Sequence, residues 1–565
     1  MNTNKILAVA LLLLLQPLQQ GAVAARAEVA AGAEPEVTAA AGVESDDAAS
    51  AETGAAAEPE VAAAGVGSDD AAGAETGATA EPEVAAAGII PVRRAARMEV
   101  GTLPLSVDNS LLPYFPPLIN QVGGSCAQAS YIGYMYTYEM CRLMGWKASE
   151  SSQYRFSYLY TWNFINDGTD MGSYGYDGLR IAMSNGVMTE ADYPKTTSVY
   201  SYYWASGYDK YYRAMSNRLN SFVLMPATTA DELEQIKRYL YDHGQEGSES
   251  GGLVTFSSKA SNWKMNNSYD GPSETGYHCM LTALATEGGH AMTIVGYDDL
   301  VQFQAPDGST SQGAFIVTNS WGSWSHDNGR YYLPYWFFLN RENISTNDLS
   351  SDVCAVEVER RSPQLTFRVG IDCDARNNLS FSMGASPIKS PYSTVEYKVS
   401  IADYQGGGYK MCGQYASSEI EMGFDFSNAV RFIEDLGDLS FYLTVNRNSK
   451  DGHTATKALL KRFDVLDYRD NSSNPKVYSY NIPKGGEVIS SGRNVFRLDT
   501  VDPPTISRNG IEWIGRSGKP VTSPLVFRTA DGKYAKVRVL QYDREAGTMT
   551  IKYVYSPSGD RNVKQ

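Results

Sequence analysis

Cysteine is scarce in this chain, with six in 565 residues, and so few cannot supply a disulfide framework for a protein of that length. Cationic charge is short as well: 48 Lys and Arg stand against 64 Asp and Glu, a formal net charge of −16. Nucleic acid and anionic membrane surfaces both need a basic face that releases counterions, so neither is expected as a partner. Long apolar runs are missing after the first fifteen residues. Even Ile6–Leu15 is shorter than the roughly 20 residues that cross a bilayer, and no membrane span is expected. Metal-ligand spacing is lacking too. His278-Cys279 has no companion pair at a zinc-type interval, and Asp167, Asp170 and Asp177 lack the rhythm of a calcium loop. They read as a solvated acidic loop, and neither metal nor cofactor is called for.

Aromatic side chains are absent from residue 25 to about 95, where Ala, Gly, Glu and Pro dominate. Such a segment cannot bury a core and reads as a disordered acidic Ala/Glu/Pro tail over 25–98. Its register is marked by Glu34-Pro35-Glu36-Val37, Glu58-Pro59-Glu60-Val61 and Glu81-Pro82-Glu83-Val84, a near-repeat too poor in apolar residues to stack as a solenoid. With fourteen acidic residues against four arginines, the tail supplies most of the net charge. It ends at Arg93-Arg94-Ala95-Ala96-Arg97, an exposed basic patch open to a trypsin-like enzyme. Ahead of it, Lys5, the apolar run and Ala22-Val23-Ala24 have the form of an export signal over 1–24, which implies a secreted protein, at the cell surface, in the periplasm or in the medium.

Globular composition starts near residue 99. Helical periodicity is expected over Cys126–Met144, near Tyr154–Phe164, near Gly178–Ser184 and over Ala230–Asp242; strands follow at Ala291–Tyr297 and Ala314–Thr318. Helices early and strands late give an α+β domain over 99–355. The many tyrosines between 131 and 212 are read as core and wall. From 356 to 565, short alternating runs such as Gln364–Ile371, Val395–Ile401, Leu439–Val445, Tyr534–Gln541 and Thr548–Tyr555 predict a β-rich accessory region of one or two β-sandwich modules.

Three stretches carry chemistry. In Gln121-Val122-Gly123-Gly124-Ser125-Cys126-Ala127-Gln128, a Gly-rich turn runs into a helix and puts Cys126 at its N-terminus, where backbone N–H groups favour a thiolate. In Gly288-Gly289-His290-Ala291-Met292-Thr293-Ile294-Val295-Gly296-Tyr297, a histidine opens an apolar strand and is placed to exchange the thiol proton. In Thr318-Asn319-Ser320-Trp321-Gly322, an amide at a strand end can accept from the imidazole, with Trp321 shielding the bond. Each of these alone has a plain structural explanation.

Together, in the order Cys, His, Asn, they resemble the papain-like cysteine peptidase family over roughly residues 110–340. The resemblance implies a two-lobed papain-like peptidase domain with an extended polypeptide substrate in the cleft between lobes. It implies Cys126 as nucleophile, His290 as base, Asn319 as its orienting residue and Gln121 as oxyanion donor, with Gly172 and Ser173 pairing with substrate backbone. There are departures: Gly123 stands where many members have a disulfide-forming Cys, Ala127 replaces the usual aromatic residue, and Gln121 lies five residues before Cys126 where six is common, a place that Asn120 holds.

A catalytic Cys126 must stay unpaired, which leaves five cysteines and at least one further free thiol. Cys141 is expected to be buried and inert, and Cys373 with Cys412 is open as a pair. The expected activity is a secreted peptidase acting through a thioester acyl-enzyme. The alternatives are a surface binding or adhesion protein whose β-region holds carbohydrate or a surface partner, and acyl transfer other than peptide hydrolysis.

Overall fold

The computed structural model describes residues 102–500, apart from 167–169, 196–202, 246–247, 249, 346–347, 389, 391, 400–406, 412, 414–418 and 434–437; beyond these it describes Arg93–Arg94 and three strands after residue 524. The export signal and, but for Arg93–Arg94, the repeat tail lie outside the described residues. Arg93–Arg94 runs parallel to Val223–Leu224 at a sheet edge.

Five helices matter for the site. The first, α1, is continuous from Cys126–Gln128 through Ala129–Tyr136 to Thr137–Met144. Its middle is widened: the Thr137 N–H reaches back five residues to Ile132 O, a local broadening that often accompanies functional sites. Gly145 closes it in the left-handed conformation. Helices α2 (Tyr158–Ile165), α3 (Gly175–Asn185) and α4 (Tyr208–Met215) follow. The fifth, α5, spans Ala230–Asp242 as its pattern predicts, begun by a capping box in which Thr229 and Glu232 satisfy each other's backbone N–H groups. The aromatic patch is core: Tyr134, Tyr136, Tyr138, Tyr160, Tyr193 and Tyr211 are fully buried. A helix at α4 was not expected, because its Tyr-rich segment shows no clean apolar period.

A mixed sheet lies beside these helices. It runs in the order Asn217–Pro226, Asp352–Arg360, Val254–Lys259, Gly289–Gln304, Thr310–Thr318, Arg330–Pro334, with most neighbours antiparallel. The two expected strands are present, and Gly289–Gln304 is much longer than its apolar part because it bulges and continues as a polar hairpin arm.

The chain then enters a β-sandwich. One sheet joins Ile420–Asp425, Leu365–Cys373, Ala458–Asp467 and Lys476–Ser479; the other joins Val395–Lys398, Leu379–Pro387, Leu439–Arg447 and Gly492–Asp499, every pairing antiparallel. Aromatic contacts bridge them, Phe367 to Phe441 at 6.0 Å and Phe381 to Phe424 at 5.9 Å. Its first sheet packs on the helices. Asn185 donates to Gly423 O at 3.1 Å and accepts from Asp425 N–H at 3.1 Å, and Tyr208 bonds the Thr366 hydroxyl at 2.6 Å. The Arg218 guanidinium, 3% exposed, meets the Asp425 carboxylate, 7% exposed, at 2.7 Å.

The chain divides into two compact units, 58–501 and a second that contains 502–565. In the latter, Leu525–Arg528, Tyr534–Asp543 and Thr548–Ser556 form an antiparallel three-stranded sheet. Among the described residues no helix is long and apolar enough to cross a membrane. Cys373 is a free buried thiol donating to Ala375 O; Cys412, considered its partner from sequence, lies outside the described residues. Cys141 is buried, and burial pushes its thiol up to about 12.

Candidate active site

Ser125 precedes the first helical residue of α1 yet turns its hydroxyl back to Val122 N–H at 3.3 Å rather than capping the helix. The first-turn N–H groups of α1 are thereby left for an anion at Cys126. Helix spacing then aims this end of α1 at the sheet. One turn on, the Ser130 hydroxyl donates to Ala291 O at 2.8 Å, and a turn further the Tyr134 hydroxyl donates to Asn319 O at 3.1 Å. Residues 126, 130 and 134 thus form a stripe that ties the helix to the strand bearing His290 and to the strand end bearing Asn319.

The result is a thiol, an imidazole and an amide in sequence. His290 Nε2 lies 2.8 Å from Asn319 Oδ1, and its ring is close enough to the half-buried Cys126 thiol for each group to shift the other. Burial pushes that thiol up, but the charge of His290, the bond to its ring and the N–H groups of Ala291 and Ala127 outweigh it, leaving Cys126 below the ordinary thiol range. His290 shifts oppositely. Burial pulls it down, while the charge on Cys126 and the bonds from Cys126 and Asn319 raise it above the ordinary imidazole value. The two shifts are opposed, each group favouring the charged form of the other. Trp321 stacks on His290 with ring centres 4.8 Å apart and planes at 27°, covering the His290–Asn319 bond.

Gln121 is held at both ends of its amide: the Ser320 hydroxyl donates to its Oε1 at 2.6 Å and its Nε2 donates to Gly123 O at 2.6 Å. The second amide hydrogen of Nε2 is left to another acceptor. Asn120 is exposed, and its carbonyl accepts from Lys195 Nζ at 2.6 Å. Gly172, at φ 82°, has its N–H beside Gly124. Ser173 accepts at Oγ from Gln128 Nε2 at 3.1 Å, so buried Gln128 on α1 fastens this stretch beside the thiol.

Several residues here were not singled out by sequence. Asp170, read from sequence as part of a solvated acidic loop, is partly buried. Its carboxylate lies flat over Gly123, filling the space a side chain there would need, and accepts the Gly124 N–H at 2.6 Å. Burial raises that carboxyl above its usual range against the pull of the Gly124 bond. Trp263 sets its ring edge-to-face against Trp321 at 5.5 Å and His326 at 5.5 Å. His326 lies on the far side of Asn319, Nε2 to Nδ2 at 2.9 Å. The only hint of it was its place seven residues after Asn319. Among the described residues no group of three or more His, Cys, Asp or Glu could hold a metal ion.

No protein-family profile matches the chain, and no curated protein matches it. Solved structures similar to it include xylellain, a cysteine protease from Xylella fastidiosa, at 18% identity over 50% of this chain and 99% of the other, with a TM-score of 0.31. Procathepsin B S9 from Trypanosoma congolense is similar at 15% identity over 48% of this chain and 84% of the other, TM-score 0.33. A recombinant stem bromelain precursor is similar at 17% identity over 45% and 70%, TM-score 0.30.

Proposed function

We propose that the chain is a secreted cysteine peptidase of the papain-like, two-lobed kind, in which residues 99–355 hydrolyse peptide bonds and the β-sandwich is an accessory module. The observation that supports this most is the 2.8 Å contact of His290 Nε2 with Asn319 Oδ1, beside a Cys126 thiol that His290 shifts down and that shifts His290 up. In this reading the Cys126 thiolate attacks the scissile carbonyl carbon. His290 gives its proton to the leaving amine, and a water activated by the neutral imidazole then hydrolyses the thioester. Asn319 holds the His290 ring with Nε2–H outward, so that the other nitrogen serves the thiol. The extended polypeptide pairs with the backbone of Gly172 and Ser173.

Incubation with a thiol-directed epoxide tests the reading. Among the described cysteines the reagent should be taken up on Cys126, because Cys141, Cys279, Cys354 and Cys373 are buried and burial raises each of them. The rate should follow a bell, since the pair is lost to protonation of the thiolate at acid pH and to deprotonation of the imidazolium at alkaline pH. The lowered thiol moves the acid limb down and the raised imidazole moves the alkaline limb up. Labelling elsewhere, or a rate that merely climbs through the ordinary thiol range, would sink the proposal.

Oxyanion stabilisation is assigned to the Cys126 backbone N–H with Gln121 Nε2. Gln121→Ala should lower kcat/KM by about a hundredfold, leaving alkylation by a small reagent near wild type. Asn120→Ala should be mild, its side chain being exposed. The reverse ranking would reassign the donor to Asn120.

A further inference from the structure

We propose that His326 is a positioning residue for the thiol–imidazole pair: as a neutral ring it accepts a hydrogen bond from Asn319 Nδ2, and this fixes the amide so that only Oδ1 can face His290. The proposal rests on the reading of Cys126 and His290 as the reacting pair.

The argument starts from Ser320. Its backbone N–H can only donate, and it lies 2.7 Å from the same Asn319 atom that faces His290 Nε2, so that atom is the amide oxygen. Nδ2 therefore points the other way, at His326 Nε2, 2.9 Å off. An amide nitrogen donates, so His326 Nε2 must carry its lone pair and the ring proton must sit on Nδ1. That nitrogen faces Cys279 Sγ at 3.8 Å, while the Cys279 thiol donates to Asn267 Oδ1 at 3.2 Å. All donors then run one way: Cys279 receives from His326, His326 from Asn319, and Asn319 from His290. An amide that donates on one side is a better acceptor on the other, so His326 strengthens the bond that fixes the His290 tautomer.

Protonation of His326 would break this order. An imidazolium has two donors and no acceptor. The Asn319 amide would have to turn, presenting Nδ2 to both the Ser320 N–H and His290. The surroundings keep the ring neutral. It is packed among Trp263, Trp321 and Tyr331, faces His290 through Asn319, and has Asp327 and Arg330 near it on its own turn. Burial first and the His290 charge second pull it down to about 4. The fold therefore disfavours a proton that the unfolded chain binds near 6.5, so this site's contribution to stability is lost as pH falls from about 6.5 to about 4.

The test is iodoacetamide alkylation of Cys126 in the full chain, followed by peptide mass at a series of pH values, in wild type, His326→Leu and His326→Gln. Leucine removes the acceptor; the glutamine Oε1 restores one that cannot be protonated. His326→Leu should slow alkylation at neutral pH by about tenfold and lower kcat/KM in step, with His326→Gln within about threefold of wild type. A folded His326→Leu with the wild-type rate and profile, or a folded His326→Gln as slow as His326→Leu, would overturn the proposal and leave the peptidase reading standing. A wild-type Cys126 that alkylates as an ordinary thiol would overturn both. Nitrogen-15 histidine NMR of the wild-type chain needs no variant to fold. It should show His326 as the neutral Nδ1–H tautomer at pH 6, and an Nε2–H or protonated ring would equally overturn the proposal.

Discussion

Cys126→Ala should abolish peptide hydrolysis, by about ten-thousandfold or more, while leaving the fold and its melting temperature almost unchanged. The side chain is a reactant in the proposed cycle, so nothing left behind can form the thioester. The structural cost is small, because Cys126 is only half-buried and the α1–strand ties at Ser130 and Tyr134 do not involve it. His290→Ala should fall to a similar floor. Because thiolate and imidazolium act as one unit, the double replacement should be no worse than either single one. The checks are progress curves on a denatured protein substrate with matched active-site titration. A Cys126→Ala protein that still cleaves at more than a trace would remove the nucleophile, and with it the proposed function.

The second large effect is on stability, at the seam between the helices and the sandwich. Arg218 and Asp425 are both almost wholly withdrawn from water, 2.7 Å apart. Arg218 also donates to Met183 O. Removing one member of such a pair strands the other charge, and Asp425→Ala should destabilise the protein by about 3–5 kcal/mol. Arg218→Met combined with Asp425→Leu should recover most of that, since the loss comes from an uncompensated ion rather than from a missing attraction. Urea midpoints followed by tryptophan fluorescence would read both, because Trp162 and Trp204 lie in the helical core and Arg376 of the sandwich packs over Trp204 at 4.7 Å. A loss below about 1 kcal/mol for Asp425→Ala would mean that water reaches the pair. A single shared transition would show that the helices and the sandwich unfold together.

Much of this arrangement was legible from local pattern. Ala230–Asp242 carries its own start signal in Thr229 and Glu232, and its bounds agree with the periodicity. Strand alternation located Leu365–Cys373 and Leu439–Arg447 of the sandwich within two residues, and the Gly-rich run before Cys126 announced a turn into a helix. What escaped depended on close approach between distant segments or on backbone geometry. His326 meets Asn319 from a turn that sets His326 at φ 51° and Asn328 at φ 50°, conformations that no hydrophobic pattern encodes. Trp263 belongs to an unremarkable stretch until the fold puts it against Trp321. Asp170 looked like one more acidic loop residue, because its use depends on the missing side chain at Gly123, 47 positions earlier. The expected helix near Gly178–Ser184 begins earlier, at Gly175, whose lack of a side chain lets Tyr131 pack against it.

The ties that bring the Cys126 helix to the His290 strand also fix when the proposed pair can form. Ser130 meets a carbonyl 161 residues further along the chain, Tyr134 one 185 residues further, and Asn185 is capped by a strand 238 residues away. Contacts of such long range close late, because the entropy of each loop must be overcome before the contact rewards it. During synthesis the nucleophile is thus made long before the imidazole that would ionise it, and longer still before the sandwich that seals the helices from behind. Until then Cys126 has no imidazole beside it, and an unfinished chain lacks the proposed reacting pair.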